Sequence, residues 1–201
     1  MWGDDGNDQL DGGLSNDILY GGIGDDRIQG GLGSDELYGD DGNDTLLAGA
    51  DEKGSSSDTL NLIVGGMGRD FIFGDLGGDT IYGDNTNSSG DGDDFIAALD
   101  GDNVIYAGAG NDMITAGIGR DKIWAGAGFD RVESGSGNDE IGSGSENDIV
   151  DAGSGNNTVD AGAGHDLVTT GDGSDKVWLG FGNDKATTGG RSGLGRCRRW
   201  R

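Results

Sequence analysis

A nine-residue pattern repeats almost without interruption from Gly3 to Thr187. Three examples are GGIGDDRIQ at 21–29, GGLGSDELY at 30–38 and AGAGNDMIT at 107–115. A fixed short period indicates a solenoid, because each repeat is too small to bury its own apolar face and must stack on its neighbours. The period therefore constrains the fold more than any single residue does.

Two positions of the repeat keep the same residue type along nearly the whole chain. With Gly3 as position one, position eight is apolar in all nineteen repeats, from Leu10 to Ala186. Position six is acidic in every repeat except two, which carry Asn103 and Asn157. Because side chains alternate along a strand, we predict a short strand over positions seven to nine with position eight inward. Positions one to six are predicted to form a glycine-rich turn.

Two nonapeptides are expected to complete one coil, so that successive repeats lie on opposite faces. About nine coils stacked at the strand spacing of roughly 4.8 Å would form an all-β prism roughly 45 Å long. Three insertions are predicted to interrupt the period, at 50–57, 62–64 and 85–90. Insertions in a solenoid usually map to surface loops, so we do not interpret them as domain boundaries.

Composition limits the classes of partner. The chain has 38 acidic and 13 basic residues and a formal net charge of -25, which repels nucleic acid and anionic membranes and attracts cations. Cys197 is the single cysteine, so no internal disulfide can form. No apolar run approaches 18 residues, so we expect no transmembrane helix.

The two ends depart from the repeat. Residues 188–201 contain five arginines and no acidic residue, and we expect a basic tail that is disordered or artefactual, outside the repeat body at 3–187. Met1 and Trp2 fit the last two positions of a repeat whose front is missing. We therefore expect a fragment of a larger chain.

The repeated aspartates are suited to a hard divalent cation. Calcium takes six to eight oxygen ligands, chiefly carboxylate and carbonyl, and a glycine-rich turn exposes carbonyls beside the position-six carboxylate. Two turns eighteen residues apart can hold one ion between them. Magnesium fits less well because it requires stricter octahedral geometry. Zinc and iron favour His or Cys, of which only His165 and Cys197 exist. The candidate pairs are Asp8 with Asp26, Asp17 with Asp35, Asp26 with Asp44, Asp112 with Asp130, and Asp166 with Asp184.

The stretch DILYGGIGDDRIQGGLGSD at 17–35 resembles the double repeat of the RTX, or haemolysin-type calcium-binding, family. The resemblance covers roughly nine-tenths of the chain and implies a parallel β-roll. It also implies a secreted bacterial protein that leaves the cell by a type I route and folds outside on meeting calcium. By this resemblance the calcium ligands are the turn carbonyls and the position-six carboxylates. The implied metal residues are Asp8, Asp17, Asp26, Asp35, Asp44, Asp70, Asp79, Asp94, Asp112, Asp121, Asp130, Asp139, Asp148, Asp166, Asp175 and Asp184, with Gly21, Gly22, Gly24, Gly30, Gly31 and Gly33.

Several repeats depart from the family pattern. From Ala107 onward position one is Ala, Ser, Thr or Leu, for which we expect weaker sites because the carbonyl ligand survives. The turn at 48–57 has lost the motif, and this weakens the case for a site through Asp58. Glu146 replaces the second turn glycine of its repeat. Asn103 and Asn157 each remove a charge.

Aromatic residues at position nine form a second pattern on one predicted face, opposite a face that carries only Phe73. One hypothesis is an exposed ladder that binds sugar rings or a cell-surface partner. The alternative is that the rings stack on one another, contributing about 0.5–1.5 kcal/mol per pair. These residues are Trp2, Tyr20, Tyr38, Tyr82, Tyr106, Trp124 and Trp178.

No catalytic constellation is present in the sequence. The chain contains no zinc-protease helix motif, no nucleophile elbow with a histidine and no phosphate-binding loop, so we predict a non-catalytic module. We favour a calcium-dependent module that supports export and stability of an attached effector. An extracellular adhesion or carbohydrate-binding module is the alternative, with calcium only structural. A non-catalytic part of a protease, lipase or epimerase and an ice-binding roll are further alternatives.

Overall fold

The computed structural model describes residues 1–49, 60–85 and 92–189, and the backbone of residues 198–199. All secondary-structure elements in these ranges are β-strands, as the period predicts. Accordingly, the described ranges contain no helix long and apolar enough to cross a membrane. Asp58, Cys197 and most of the insertions at 50–57 and 85–90 lie outside these ranges.

The strands form two sheets in which every pairing is parallel. The eleven-stranded sheet contains β1 (Trp2–Asp5), β3 (Ile18–Ile23), β5 (Glu36–Asp41), β7 (Leu62–Met67), β9 (Thr80–Asp84), β11 (Val104–Ala109), β13 (Lys122–Ala127), β15 (Glu140–Ser145), β17 (Thr158–Asp160), β19 (Lys176–Gly180) and β21 (Arg198–Arg199). The ten-stranded sheet contains β2 (Gln9–Leu14), β4 (Arg27–Leu32), β6 (Thr45–Leu47), β8 (Phe71–Phe73), β10 (Phe95–Ala97), β12 (Met113–Thr115), β14 (Arg131–Glu133), β16 (Ile149–Asp151), β18 (Leu167–Thr170) and β20 (Lys185–Thr188).

Each strand pairs with the strand two places further along the chain, which is usually eighteen residues away. Ile105 lies opposite Ile123 in one sheet, and Ile114 lies opposite Val132 in the other. Two nonapeptides therefore make one coil, and the chain forms a parallel β-solenoid of about ten coils. The predicted fold class is confirmed, with about one coil more than expected.

Position eight forms the core, as predicted. Its side chains are buried in every coil, and only Ala186 in the last coil is partly exposed. The buried members are Leu10, Leu19, Ile28, Leu37, Leu46, Ile63, Ile72, Ile81, Ile96, Ile105, Ile114, Ile123, Val132, Ile141, Val150, Val159, Val168 and Val177.

Many strands are longer than the predicted three residues. β3 and β5 continue through positions one to three, and Gly22 pairs with Asp40 beyond the aromatic residues. The turn glycines still bend the chain, with φ of 113° at Gly22 and 131° at Gly24. A Cβ at Gly22 would lie 2.1 Å from the carbonyl oxygen of Asp4 in the preceding coil, so only glycine permits this spacing.

The predicted insertion at 62–64 is wrong. Leu62 pairs with Glu36 and Ile63 pairs with Leu37, so this segment is the regular strand β7. Ile63 is fully buried, whereas Leu60 is 68% exposed. Glycines 65 and 66 follow the apolar run directly, and the coil register therefore assigns position six to Asn61. The number of repeats with an asparagine at position six is thus three, not two.

Candidate metal centre

The position-six side chains stack into two columns, one beside each sheet. We call the first the aspartate column, since each of its members is an aspartate. It contains Asp8, Asp26, Asp44, Asp70, Asp94, Asp112, Asp130, Asp148, Asp166 and Asp184. The second, the mixed column, contains Asp17, Asp35, Asn61, Asp79, Asn103, Asp121, Asp139, Asn157 and Asp175.

One hydrogen bond repeats along both columns. Before the last coil, the backbone N–H of each position-six residue donates to the side-chain oxygen Oδ1 of the position-six residue in the next coil of the same column. Asp8 N donates to Asp26 Oδ1 at 2.7 Å, and Asp17 N donates to Asp35 Oδ1 at 2.9 Å. The structure therefore brings together all five of the predicted aspartate pairs.

The second carboxylate oxygen has no partner in most of these aspartates. In the described part of the chain, Oδ2 is buried and makes no hydrogen bond in Asp8, Asp17, Asp26, Asp35, Asp44, Asp70, Asp94, Asp112, Asp121, Asp130, Asp148, Asp166 and Asp184. Buried carboxylate oxygens are normally paired with a donor or a metal ion. A row of unpartnered oxygens facing the glycine turns is therefore the arrangement that a cation would complete.

Glycine at position one keeps a carbonyl and a carboxylate close together. A Cβ at Gly39 would lie 2.4 Å from Oδ2 of Asp44 and 2.3 Å from the carbonyl oxygen of Gly65. The same two kinds of oxygen surround Gly21 and Gly30. Carboxylate and carbonyl oxygens are the donors that calcium uses, so these turns fit the ion in donor type.

Burial changes the acidity of the aspartate column. It raises the pKa of Asp44 to about 7 and that of Asp70 and Asp112 to about 8. The backbone N–H of the neighbouring coil opposes this shift, and nearby carboxylates reinforce it. Without a cation, these buried carboxylates are therefore poorly suited to carry charge at neutral pH.

The mixed column contains turns in which an amide replaces the carboxylate. The side-chain Nδ2 of Asn103 donates to the carbonyls of Leu99, Gly101 and Ala116 at 3.2–3.4 Å. Nδ2 of Asn157 donates to the carbonyl of Ala152 at 2.7 Å. These turns satisfy their own carbonyl oxygens with N–H groups, and they need no cation to do so.

Two predicted metal residues also have protein partners for Oδ2. Oδ2 of Asp79 accepts the backbone N–H of Asp75 at 2.9 Å, and Oδ2 of Asp139 accepts the hydroxyl of Ser134 at 2.7 Å. Ser134 stands at position one, where the first five repeats have glycine and the three repeats before Ser134 have alanine. These contacts are not predictable from the period, because they depend on side-chain direction within the turn.

The described residues contain no group of three or more His, Cys, Asp or Glu side chains that could hold a metal. Backbone carbonyls of the turns would therefore have to supply further ligands beside the column carboxylates. His165 is exposed, and its Nδ1 accepts the backbone N–H of Asn183 at 2.9 Å. A soft-metal site is therefore not formed in the described part of the chain.

Comparison with known families identifies the pattern. A sequence model described as the RTX calcium-binding nonapeptide repeat (4 copies) matches residues 2–37, 20–52, 55–87, 88–123, 115–150 and 151–186. The chain belongs to this RTX family. RTX repeats bind calcium, and the buried aspartate series is consistent with calcium-binding turns. No curated protein matches the chain.

The predicted aromatic face of the RTX roll is present on the eleven-stranded sheet. Ring centroids lie 4.1 Å apart for Trp2 and Tyr20 and 4.8 Å apart for Tyr20 and Tyr38. A second run joins Tyr82 to Tyr106 at 5.0 Å and Tyr106 to Trp124 at 4.7 Å. All four pairs are stacked face to face, so the structure favours the interpretation in which the rings pack on one another.

Proposed function

We propose that this RTX chain is a module that folds when calcium binds and thereby supports the export and stability of an attached effector. The observation that carries the proposal is the row of buried, unpartnered Oδ2 atoms in the aspartate column. Ten aspartates stand in this column, and its described members have no lysine or arginine among their hydrogen-bond partners.

Repulsion between ionised carboxylates of the aspartate column explains why folding would require bound calcium. Neighbouring carboxylates stand about one strand spacing apart, where two unit charges repel by roughly 3 kcal/mol at an effective dielectric constant of 20. Each nonapeptide contributes only one medium aliphatic side chain at position eight in return, worth about 2 kcal/mol. Calcium, when bound, supplies the positive charge, and the turn carbonyls and carboxylates hold it.

We propose the predicted set of calcium-binding residues and divide it into tight, weaker and non-binding turns according to the contacts of each residue. The turns of the aspartate column and the glycine-rich coils around Gly21, Gly30 and Gly39 support tight binding. The turns that contain Asn103 and Asn157 are proposed to bind no ion. Asp79 and Asp139 are proposed to be weaker ligands, because each Oδ2 already accepts a hydrogen bond.

Calcium titration followed by far-ultraviolet circular dichroism tests the proposal. We expect coil in excess chelator, strand in millimolar calcium, and a steep transition because the coils stack cooperatively. Magnesium at the same concentration is the control and should induce little strand. A fully formed roll in excess chelator at neutral pH would contradict the proposal.

The secreted bacterial location and the attached effector rest on the family. RTX repeats are typical of secreted bacterial proteins, and this supports an extracellular site with abundant calcium. The absence of a recognised catalytic constellation supports a non-catalytic role within a larger protein. Secretion of the chain by a type I system in a heterologous host, with and without external calcium, would test the export role.

A further inference from the structure

The aromatic column on the eleven-stranded sheet has a gap. Position nine carries Trp124 on β13 and Trp178 on β19, but the two strands between them carry Gly142 and Asp160. A cleft of about 680 Å³ occupies this place. We call it the tryptophan slot, lined by Trp124, Glu140, Gly142, Thr158, Asp160 and Trp178.

The geometry points to the tryptophan slot as a binding site for a neutral pyranose sugar. Within the stacked runs elsewhere in the column, Tyr20 and Tyr106 each lie between two rings that cover both of their faces. Trp124 stacks on Tyr106 with one face only, and in the described part of the chain no ring stacks on Trp178. The slot is therefore a single cleft that two indole rings line from opposite ends.

The width of the slot suits a sugar ring. Three strand steps separate the two tryptophans, which corresponds to about 14 Å along the sheet. A six-membered ring in van der Waals contact with an indole lies about 3.5–4.0 Å from it, so a pyranose fits against either wall. The other gap in the column contains Val64, which is 4% exposed, and that gap is filled by protein.

The polar groups of the slot match a polyol. Asp160 and Glu140 offer carboxylate acceptors, and the Thr158 hydroxyl both donates and accepts. A pocket with apolar faces and a few polar groups is typical of small-molecule recognition. The lining also includes the glycines at 126, 144, 162 and 180, which have no side chain to cover the backbone.

Charge selects a neutral ligand. In the same row of the sheet, Lys122 lies opposite Glu140, and Lys176 lies opposite Thr158. These two lysines flank the two acidic side chains of the slot, so the four side chains have no net formal charge and give little attraction for a cationic ligand. The net charge of -25 for the whole chain disfavours an anionic polysaccharide. An apolar peptide would desolvate both carboxylates without replacing their hydrogen bonds.

The experiment uses the calcium-loaded full chain and a set of neutral hexose oligosaccharides that includes cellohexaose, mannohexaose and maltohexaose. Isothermal titration calorimetry and tryptophan fluorescence report binding. We expect at least one of these sugars to bind, and Trp124→Ala and Trp178→Ala to weaken that binding more than about tenfold. Tyr20→Ala removes a ring from the other stacked run and is the matched control, with affinity expected within about twofold.

A plugging variant keeps the test independent of folding defects. Gly142→Tyr restores an aromatic ring at position nine of the column, where tyrosine occurs at Tyr20 and Tyr38. A Cβ there would meet only the ring of Trp124, at 3.3 Å from Cδ1 and 3.8 Å from Nε1. We expect this variant to fold with calcium and to lose sugar binding. Circular dichroism in calcium verifies each variant, so a failure of the slot is distinguishable from a failure of calcium-dependent folding.

Three outcomes would overturn the inference. The first is that no neutral hexose oligosaccharide binds the wild-type chain. The second is that Gly142→Tyr binds as tightly as the wild type, or that Tyr20→Ala loses as much affinity as Trp178→Ala. The third is that a basic peptide binds the slot in competition with, and more tightly than, every sugar tested.

Discussion

Asn103 shows how one atom changes the chemistry of a turn. Its amide nitrogen donates to three carbonyl oxygens, whereas Asp121 in the next coil of the same column has an unpartnered carboxylate oxygen. Aspartate at this position cannot donate those hydrogen bonds and would instead repel the carbonyls unless a cation intervenes. The amide thus satisfies carbonyl oxygens of this turn without a metal ion.

Asn103→Asp should therefore create a calcium site. We expect isothermal titration calorimetry to count about one additional ion per chain, together with a stronger dependence of folding on calcium. Asn138→Asp is the matched control, since Asn138 is exposed at position five and its Oδ1 only accepts the N–H of Asn156. Equal stoichiometry for the wild type and Asn103→Asp would show that amide turns already bind calcium.

Leu99 is held in a left-handed conformation with φ of 68°. A left-handed conformation destabilises a residue other than glycine by roughly 1–2 kcal/mol. Glycine avoids this strain, but ordering its more flexible backbone costs about 0.5–1 kcal/mol more. We expect Leu99→Gly to raise the free energy of unfolding of the calcium-loaded roll by up to about 1 kcal/mol, measured by urea denaturation. Leu14→Gly is the control and should lower the free energy of unfolding, because Leu14 is exposed and does not have a positive φ.

At the scale of one coil, the residue at position one decides how closely the turn approaches its carboxylate. Glycine at this position lets the carboxylate and a carbonyl of the next coil lie near the chain. In the second half of the roll, Ala107, Ala116 and Ala125 are fully buried at this position. The methyl groups of these alanines occupy space that glycine leaves open in most repeats of the first half.

Gly39→Ala should weaken calcium binding in the first half of the roll. The added methyl group would lie 2.4 Å from Asp44 Oδ2 and 2.3 Å from the Gly65 carbonyl, so both oxygens must shift. We expect the calcium midpoint of folding to rise severalfold in the titration followed by circular dichroism. Gly142→Ala is the control, because its methyl group would contact only the flexible Trp124 ring, at 3.3 Å from Cδ1. An unchanged midpoint for Gly39→Ala would place calcium away from this turn.

At the scale of the whole molecule, the buried carboxyl groups of the two columns make stability depend on pH. The pKa of Asp94 and Asp130 is raised to about 7, and that of Asp121 and Asp148 to about 6, chiefly by burial. A carboxyl group whose pKa is higher in the folded state stabilises that state when protonated. The contribution is full below the ordinary value near 4 and is lost as the pH rises through about 6 to 8.

The calcium-free chain should therefore gain strand as the pH falls from 8 to 4 in excess chelator. Circular dichroism across this range measures the effect, with millimolar calcium as the control in which strand content stays constant near neutral pH. Calcium addition to a weakly buffered solution at pH 6.5 should also release protons, as ions displace them from buried carboxyl groups. Coil at every pH without calcium, or calcium uptake without proton release, would contradict this linkage.

The period alone was sufficient to predict the solenoid, the inward position eight and the stacked aspartate pairs. These features depend only on strand alternation and on an eighteen-residue coil, both of which are visible in the sequence. The register around Asn61 was not predictable, because the apolar run at 62–64 fits either an insertion or a strand. It was decided by the pairing of Leu62 with Glu36 across neighbouring coils.

Tertiary structure also decided which oxygens remain unpartnered. The sequence shows an aspartate or asparagine at position six, but only packing shows that the amide of Asn103 reaches three carbonyls while Oδ2 of Asp112 reaches none. Only packing shows, likewise, that the aromatic rings stack in two runs and that a cleft lies beside Gly142. Periodicity determines which residues become neighbours, whereas side-chain direction and burial determine what those neighbours can bind.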